Sequence, residues 1–291
     1  AGGRPAGGRG SVEGSVPMSV VAITGDHPRH VFLVQQLAGA GLLAGWIVER
    51  REPHVPAPGG DVPVALHDLF KLHFQRREAA EHRAFGALSP DAVAVDRLTV
   101  DLADLNGDRV RDFLTNKAPS HVVSYGCHRL DEALLRCVPA RFWNTHGGLS
   151  PWYRGVHTHF WPSYMLEPQM TGMTLHETTG AIDGGAIIHQ SGVTLTRGDG
   201  LHDLACRAVA TFSRELPSVL DRARHTDVVG VAQKTTGRIW IAAMGRAEHR
   251  VPIYRHYEDR IVDLCLDGEI SGRVPDLIRP LIEARPGLAE D

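Results

Sequence analysis

The stretch Ser19–Val48, SVVAITGDHPRHVFLVQQLAGAGLLAGWIV, contains the pattern that decides the fold of this chain. It opens with an apolar, β-branched run over residues 19–24 that ends at a Gly-Asp-His-Pro turn, as expected for a buried strand. Arg29–Ala40 then carries apolar residues at helical spacing, and Leu43–Val48 predicts a second buried strand. A strand–helix–strand unit of this kind favours a parallel sheet with a right-handed crossover.

The rest of the chain continues the alternation of helices and strands. We predict helices at Leu66–Phe85, Leu105–Asn116, Leu130–Cys137 and Gly200–Ala223, and strands at Ala92–Val95, Ser120–Cys127 and Ala186–Gln190. The predicted fold class is therefore α/β, with a Rossmann-like, mostly parallel sheet flanked by helices and a small C-terminal appendage.

Three glycines near the end of the first unit, Gly39, Gly41 and Gly45, nearly spell a dinucleotide-binding fingerprint. They follow the predicted helix, whereas a phosphate cradle requires its glycines between the first strand and the helix. We interpret Gly39 and Gly41 as glycines of a helix C-terminus, and we do not predict a nicotinamide site.

The helix Leu66–Phe85 contains three histidines, His67, His73 and His82, that invite a metal-site interpretation. Their spacing does not place them on adjacent turns, and the chain has no H-E-x-x-H motif. A solvated, histidine-containing helix face is the simpler interpretation, and no metal site is predicted.

The composition is that of an ordinary soluble globular protein, with 291 residues of which 43% are hydrophobic and 22% charged. The net charge of -3 does not indicate a basic surface that would bind nucleic acid. No apolar run is long enough for a membrane span. The cysteines Cys127, Cys137, Cys206 and Cys265 form no C-x-x-C pair, which favours a reducing compartment. A cytoplasmic location is the expectation.

Three regions are expected from the changes in sequence texture. Residues 1–17 are too poor in apolar side chains to fold and predict a disordered tail. Residues 18–226 predict the main domain, and residues 227–291 a small C-terminal subdomain. In the latter, Gly237 and residues 239–241 suggest a hairpin, and residues 250–267 a helix that stops at Gly268.

The candidate chemistry begins in Phe142–Gly155, FWNTHGGLSPWYRG, where a strand runs into a glycine-rich loop. Side chains one residue apart on a strand share a face, so Asn144 and His146 can address one atom together while Thr145 points away. The alternative is that His146 is a structural histidine and Asn144 a turn former.

A second motif, Thr171–Gln190 (TGMTLHETTGAIDGGAIIHQ), places Asp183 on a glycine-rich loop between two apolar runs. A carboxylate in this position can orient a histidine or accept a proton.

Taken together, these motifs resemble the formyltransferases that use 10-formyltetrahydrofolate. The matching elements, in the family's order, are Asn144, His146, Leu149–Gly155, Thr171–Thr174, Asp183 and Gly185. The similarity extends more weakly from about Val20 to Thr211, and the chain departs from the family pattern at Gly147, Gly148 and Ser150.

The resemblance implies a role for each matching side chain. Asn144 would donate to the formyl oxygen, His146 would stabilise the tetrahedral intermediate, and Asp183 would fix His146 and help to remove the amine proton. The implied formyl donor is 10-formyltetrahydrofolate, without a metal. The folate-binding residues that it implies are Tyr125, Gly126, Cys127, Leu130, Thr179, Gly180 and Ile182. A thiol nucleophile at Cys127 is a weaker alternative, because no matched partner accompanies it.

The resemblance also limits which amine is expected to accept the formyl group. Members that formylate initiator tRNA carry a basic C-terminal domain, whereas residues 227–291 contain slightly more acidic than basic residues. Purine-pathway members begin with a Gly-Ser-rich phosphate loop, where this chain has TGDHPRH. We expect a small-molecule amine as partner, first a nucleotide-linked amino sugar, with no nucleic acid, no membrane and a possible homodimer. An amino acid or hydroxyornithine-type acceptor, a tRNA enzyme and a catalytically silent folate-binding protein are the alternatives.

Overall fold

The computed structural model describes residues 18–226, 228–234 and 238–283, so the predicted disordered tail over residues 1–17 lies outside the described residues. The strands are β1 Val20–Thr24, β2 Leu43–Glu49, β3 Arg97–Val100, β4 His121–Tyr125, β5 Arg141–His146, β6 Arg154–Gly155, β7 Gly172–Glu177, β8 Ile187–Gly192 and β9 Ile239–Trp240. The helices are α1 Pro28–Gly39, α2 His67–Phe85, α3 Asp108–Lys117, α4 Glu132–Leu135, α5 Trp161–Tyr164, α6 Leu201–His225, α7 Ile261–Leu266 and α8 Pro280–Glu283.

Seven of the strands form one sheet in the order β3-β2-β1-β4-β5-β7-β8. The first five pair in parallel, whereas β7 pairs antiparallel with β5 and β8 antiparallel with β7. The predicted α/β class with a mostly parallel sheet is therefore confirmed. The antiparallel edge brings β7, which precedes the Asp183 loop, directly beside the strand that carries Asn144 and His146.

Both faces of the sheet are covered by other elements of the protein, which explains why the sequences of the central strands are continuous apolar runs. All five residues of β1 are buried. Val20 and Ala22 face a core built with α1 and α6, and Val21 and Ile23 face a second core built with α3. This alternation follows from the two-residue period of a strand.

Two predictions in the first half of the chain are wrong in position or extent. The segment predicted as a strand at Ala92–Val95 overlaps a 3₁₀ turn at Pro90–Ala92 and contains no strand. Pairing with β2 begins only where Arg97 meets Trp46. The helix predicted at Leu130–Cys137 is one turn, α4, capped where the Asp131 carboxylate accepts from the Leu134 N–H at 2.8 Å.

The C-terminal region also differs from its prediction. The strand β9 pairs in parallel with β6 and does not form a local hairpin, and Gly237 lies outside the described residues. The predicted helix is split into a π-helical turn at Pro252–His256 and α7, because Glu258 and Asp259 adopt positive φ. It ends as predicted at Gly268, which has φ +76°.

The C-terminal segment, which comprises residues 228–234 and 238–283, packs on residues 18–226 through apolar contacts. Ile253, Tyr254 and Ile261 share a cluster with Leu66 and Leu69 at the start of α2. Within the described residues, no helix is long and apolar enough to cross a membrane.

The α2 histidine face is not uniformly solvated, contrary to the prediction. His73 is buried, and its Nδ1 lies 2.8 Å from the hydroxyl oxygen of Tyr254 in the C-terminal segment. Its burial comes from this and other long-range contacts, with the rings of Phe160 and His202, which the helical pattern does not show.

Candidate active site

A cleft of about 870 Å³ opens at the carboxyl ends of β1, β4 and β5. Ligand sites of open α/β sheets form at this edge, because the loops that follow parallel strands converge there. The cleft lining includes all ten side chains and backbone positions named from the sequence. These are Tyr125, Gly126, Cys127, Leu130, Asn144, His146, Thr179, Gly180, Ile182 and Asp183.

Asn144, His146 and Asp183 meet in one place within this cleft. The Nδ1 of His146 lies 3.4 Å from Oδ2 of Asp183, and the Asn144 amide Nδ2 donates to Oδ1 of Asp183 at 3.4 Å. The hydroxyl of Ser124 on β4 donates to Oδ1 of Asn144 at 2.9 Å, which fixes the orientation of this amide. The NH₂ group of Asn144 therefore faces the carboxylate.

The proton of neutral His146 is placed by a backbone contact. Its Nε2 lies 2.7 Å from the carbonyl oxygen of Tyr153, and a carbonyl only accepts, so Nε2 carries the hydrogen. The Nδ1 atom is then the free base, beside the Asp183 carboxylate. Burial lowers the pKa of His146 below its ordinary value, although Asp183 opposes this shift.

Asp183 is held in an uncommon backbone conformation with φ +43°. Its Oδ2 accepts from the Gly155 N–H at 2.7 Å, and its carbonyl oxygen accepts from the Gln233 amide at 2.9 Å. Burial alone would raise the pKa of this carboxyl, but His146, His176 and the Gly155 N–H together lower it to about 2. The side chain is therefore ionised at neutral pH.

His176 is a neighbour of this group that the sequence reasoning did not single out. It lies directly opposite Asn144 in the β5–β7 pairing, with Nε2 3.2 Å from the Asn144 amide and 3.5 Å from Oδ1 of Asp183. Its Nδ1 donates to the carbonyl of Glu177 at 2.8 Å, so Nε2 accepts from Asn144. Thr174 and His176 are two residues apart on a strand, so their side chains share one face, and this spacing is the signal in the sequence that points to His176.

The departure from the family pattern at Gly147 and Gly148 has a steric basis. A Cβ at Gly148 would lie 2.4 Å from the Tyr153 carbonyl oxygen and 2.8 Å from Nε2 of His146. A Cβ at Gly147 would lie 3.1 Å from the His159 ring. The paired glycines therefore let the loop pack closely against His146 and His159.

The other end of the cleft suits a ligand with an apolar body and a polar edge. Ile182 is 56% exposed there, and Leu130 lines the same cleft. The backbone at Gly126 has φ +63°, and a Cβ there would lie 2.2 Å from the His30 ring, so this position requires glycine. Such a mixture of apolar surface and backbone polar groups is typical of cofactor sites and fits a folate.

Cys127 lies in this part of the cleft as a thiol. Burial, together with the nearby Glu49 carboxylate, raises the pKa of Cys127 to about 12. A thiolate nucleophile at neutral pH is therefore disfavoured. Among the described residues, no group of three or more His, Cys, Asp or Glu side chains is arranged to hold a metal ion.

Comparison with protein families matches residues 88–220 to the family described as formyl transferase. Among solved structures, a sugar N-formyltransferase from a Shewanella species is 16% identical, covering 78% of this chain and 77% of that chain with a TM-score of 0.52. A phosphoribosylglycinamide formyltransferase from Anaplasma phagocytophilum is 15% identical, covering 78% and 100% with a TM-score of 0.52. A 4-N formyltransferase from Francisella tularensis is 15% identical, covering 79% and 78% with a TM-score of 0.51.

Proposed function

We propose, on the premise that residues 88–220 belong to the formyl transferase family, that this protein transfers a formyl group from 10-formyltetrahydrofolate to the amine of a small molecule. The observation that carries the proposal is the meeting of Asn144, His146 and Asp183 in the cleft, with His146 and Asp183 3.4 Å apart. These three side chains supply the two functions that formyl transfer to an amine requires, which are oxyanion stabilisation and proton removal.

Oxyanion stabilisation falls to Asn144. Its amide is held by the Ser124 contact on its carbonyl side, and its two N–H groups donate to Asp183 and His176, so one of these two contacts gives way when the formyl oxygen binds. A donor that is held in place in this way stabilises the negative charge that develops on the formyl oxygen. Loss of one such donor typically costs about 2.7–4 kcal/mol of transition-state stabilisation.

Proton removal falls to His146 and Asp183. The free base at Nδ1 of His146 accepts the proton that leaves the amine, and the adjacent Oδ2 of Asp183 stabilises the resulting imidazolium. Asp183 can do so because it is ionised at neutral pH. The same contacts hold the ring in one orientation.

The formyl donor occupies the part of the cleft near Tyr125 and Ile182 in this proposal. The residues that would bind this formyl donor are Tyr125, Gly126, Cys127, Leu130, Thr179, Gly180 and Ile182, all of which line the cleft. When bound, it supplies an activated formyl carbon, and the chain's own task is to place that carbon beside Asn144 and His146.

The preferred acceptor is a nucleotide-linked amino sugar. The turn between β1 and α1 has one backbone donor fewer than a Gly-Ser-rich phosphate loop, because Pro28 at the first helical position has no N–H. The slight acidic excess of residues 227–291 disfavours a tRNA substrate. An amino acid or hydroxyornithine-type acceptor is the second candidate.

The test is to incubate the protein with 10-formyltetrahydrofolate and a panel of nucleotide-linked amino sugars, free amino acids, hydroxyornithine and initiator tRNA, and to follow tetrahydrofolate release. We expect turnover with a nucleotide-linked amino sugar and none with an Asn144→Ala variant that stays folded. Turnover with tRNA alone would overturn the acceptor class. Folate binding without turnover of any amine would favour the silent-scaffold alternative.

A further inference from the structure

Three side chains lie in one row across the antiparallel edge of the sheet, beginning at the cleft. His146 on β5 pairs with Thr174 on β7, and Thr174 pairs with Gln190 on β8. Directly opposed residues of neighbouring strands place their side chains on the same face of the sheet. Thr174 and Gln190 are fully buried, and of the three only His146 is among the described residues that line the cleft. The other two side chains can therefore act on the reaction only through His146.

Thr174 and Gln190 bind the backbone of the loop at residues 147–153, which follows β5. The Thr174 hydroxyl donates to the carbonyl oxygen of Gly148 at 2.7 Å and accepts from the Ser150 N–H at 3.1 Å. The Gln190 amide Nε2 donates to the carbonyl oxygen of Ser150 at 2.6 Å and to the Thr174 hydroxyl at 3.2 Å. The sheet therefore fixes this loop at Gly148 and at Ser150.

The C-terminal segment fixes the orientation of the Gln190 amide. The Ile278 N–H donates to Oε1 of Gln190 at 3.0 Å. A backbone N–H only donates and a backbone carbonyl only accepts, so Oε1 must face Ile278 and the NH₂ group must face Ser150. The Arg279 guanidinium also donates to the Gln190 carbonyl oxygen at 2.9 Å. The amide therefore links this part of the C-terminal segment to the loop that follows β5.

The position of the same loop decides which nitrogen of His146 carries the proton. The neutral ring has one N–H and lies between two acceptors, the Tyr153 carbonyl oxygen 2.7 Å from Nε2 and the Asp183 carboxylate 3.4 Å from Nδ1. The shorter contact holds the hydrogen on Nε2 and leaves Nδ1 as the base. If the loop withdrew, the Asp183 carboxylate would be the remaining acceptor, and the hydrogen would move to Nδ1. A ring that carries its hydrogen on Nδ1 cannot accept the amine proton there.

We infer that Gln190 is a positioning residue for formyl transfer, which keeps Nδ1 of His146 as the base by holding the loop that carries the Tyr153 carbonyl. The inference rests on the proposed function for the use of this base, whereas the effect of Gln190 on the His146 tautomer is observable without a substrate. Gln190 suits this task because its planar amide offers donors and an acceptor in one group, which bind the loop and the C-terminal segment together.

The test measures the tautomer of His146 by NMR in whole protein labelled with ¹⁵N-histidine. The His146 resonances are identified as those missing from His146→Gln. We expect the Nε2–H form in the unmodified protein and a shift towards the Nδ1–H form in Gln190→Met. This variant keeps the length of the side chain but loses the amide contacts to the loop, to Thr174 and to Ile278.

Initial rates are measured in parallel, with the amine that is turned over in the acceptor panel. In Gln190→Met, kcat should fall by about tenfold or more with KM little changed, because small misplacements of reacting groups are costly. Ile188→Val is the matched control, since Ile188 is a buried apolar residue of the same strand. It should keep both the Nε2–H form of His146 and the rate.

Gln190→Glu separates the donor from the general support of the fold. The introduced carboxyl can donate to the Ser150 carbonyl oxygen and accept from the Ile278 N–H when it is protonated, but it can only accept when it is ionised. Burial raises the pKa of such a carboxyl. The Nε2–H form of His146 should therefore be retained at lower pH and lost as the pH rises, whereas the unmodified protein should keep it over the same interval.

Four results would overturn the inference: an Nδ1–H form in the unmodified protein, an unchanged tautomer in folded Gln190→Met, a shifted tautomer with undiminished kcat, or a tautomer in Gln190→Glu that does not change with pH. If Gln190→Met does not fold, Gln190→Glu decides alone. The expected tautomers without formyl transfer to any amine would remove the proposed function and leave the control of the His146 tautomer by Gln190 standing.

Discussion

The imidazole of His146 lies between two acceptors, with Nδ1 3.4 Å from the Asp183 carboxylate and Nε2 2.7 Å from the Tyr153 carbonyl oxygen. Both contacts strengthen when the ring is protonated, whereas burial favours the neutral ring. The pair is therefore arranged to gain stability at the moment a proton reaches Nδ1, which is the property a general base needs.

The first prediction concerns the charge of Asp183. Replacing Asp183 with Asn keeps the size of the side chain but removes the charge that stabilises the His146 imidazolium. Formyl transfer should fall by about 100-fold or more, within the range for a positioned acid or base. Binding of a folate analogue should change little. Initial rates and calorimetric titrations check the two statements, and an Asp183→Asn enzyme of undiminished rate would remove the proposed role.

The second prediction concerns folate binding. Because only the folded protein has the cleft beside Tyr125 and Leu130, a folate analogue should stabilise it by mass action. At roughly one hundred times its Kd the gain is about 2.7 kcal/mol. Thermal unfolding with and without the analogue measures this as a rise in Tm. The absence of any rise at saturating concentration would contradict the folate site.

The third prediction concerns the C-terminal segment as a support for Asp183. The Gln233 amide donates to the carbonyl oxygens of Asp183 and Gly185 at 2.9 and 2.6 Å. Gln233→Met keeps the length of the side chain but loses both donors, so the Asp183 loop should become less well positioned. We expect kcat to fall by about tenfold, since small misplacements of reacting groups are costly, with KM little changed. Lys234→Met, at the exposed neighbouring position, is the control and should keep the full rate.

The fourth prediction concerns the close approach of β6 and β9. Gly155 has φ +102°, and a Cβ there would lie 2.0 Å from the carbonyl oxygen of Trp240. Gly155→Ala should therefore separate the two strands and weaken the N–H contact to Asp183, with loss of both stability and activity. Gly39→Ala is the control, because nothing lies within 4 Å of a Cβ there. It should be neutral or stabilising by at most about 1 kcal/mol. Urea unfolding and initial rates distinguish the two variants.

The fifth prediction is a pH dependence of stability that arises at His121. Burial, with a smaller effect of Arg141, lowers the pKa of His121 to about 4, whereas the unfolded chain has the ordinary value of about 6.5. Between these values the unfolded state binds a proton that the folded state does not, so stability falls as the pH falls. From pH 6.5 to pH 5 this residue accounts for a loss of about 1.6 kcal/mol.

The variant His121→Gln should lose less stability than the unmodified protein over this interval, by about that amount. The exposed His82 provides the control, because His82→Gln should leave the slope unchanged. Urea unfolding at several pH values measures the free energy of unfolding. Equal slopes for His121→Gln and the unmodified protein would contradict the assignment.

Much of the α/β architecture could be predicted because its signals are local. The run over residues 19–24, the helical spacing of α1 and the Gly268 helix stop all depend on neighbours within a few residues. The prediction at Ala92–Val95 was wrong because strand pairing depends on a partner, and β2 pairs with Arg97–Val100 instead. The hairpin predicted around residues 239–241 was wrong for the same reason, since β9 pairs with β6.

The sequence by itself determined that Asn144 and His146 share one strand face, because a strand repeats every two residues. It also gave the order in which Asp183 follows them. Only the tertiary structure decided that His176 lies opposite Asn144, that Gln233 supports Asp183, and that Gln190 binds the loop beside His146. These contacts join residues that are distant in the chain. Their geometry depends on how the sheet edge and the C-terminal segment pack, which no local pattern specifies.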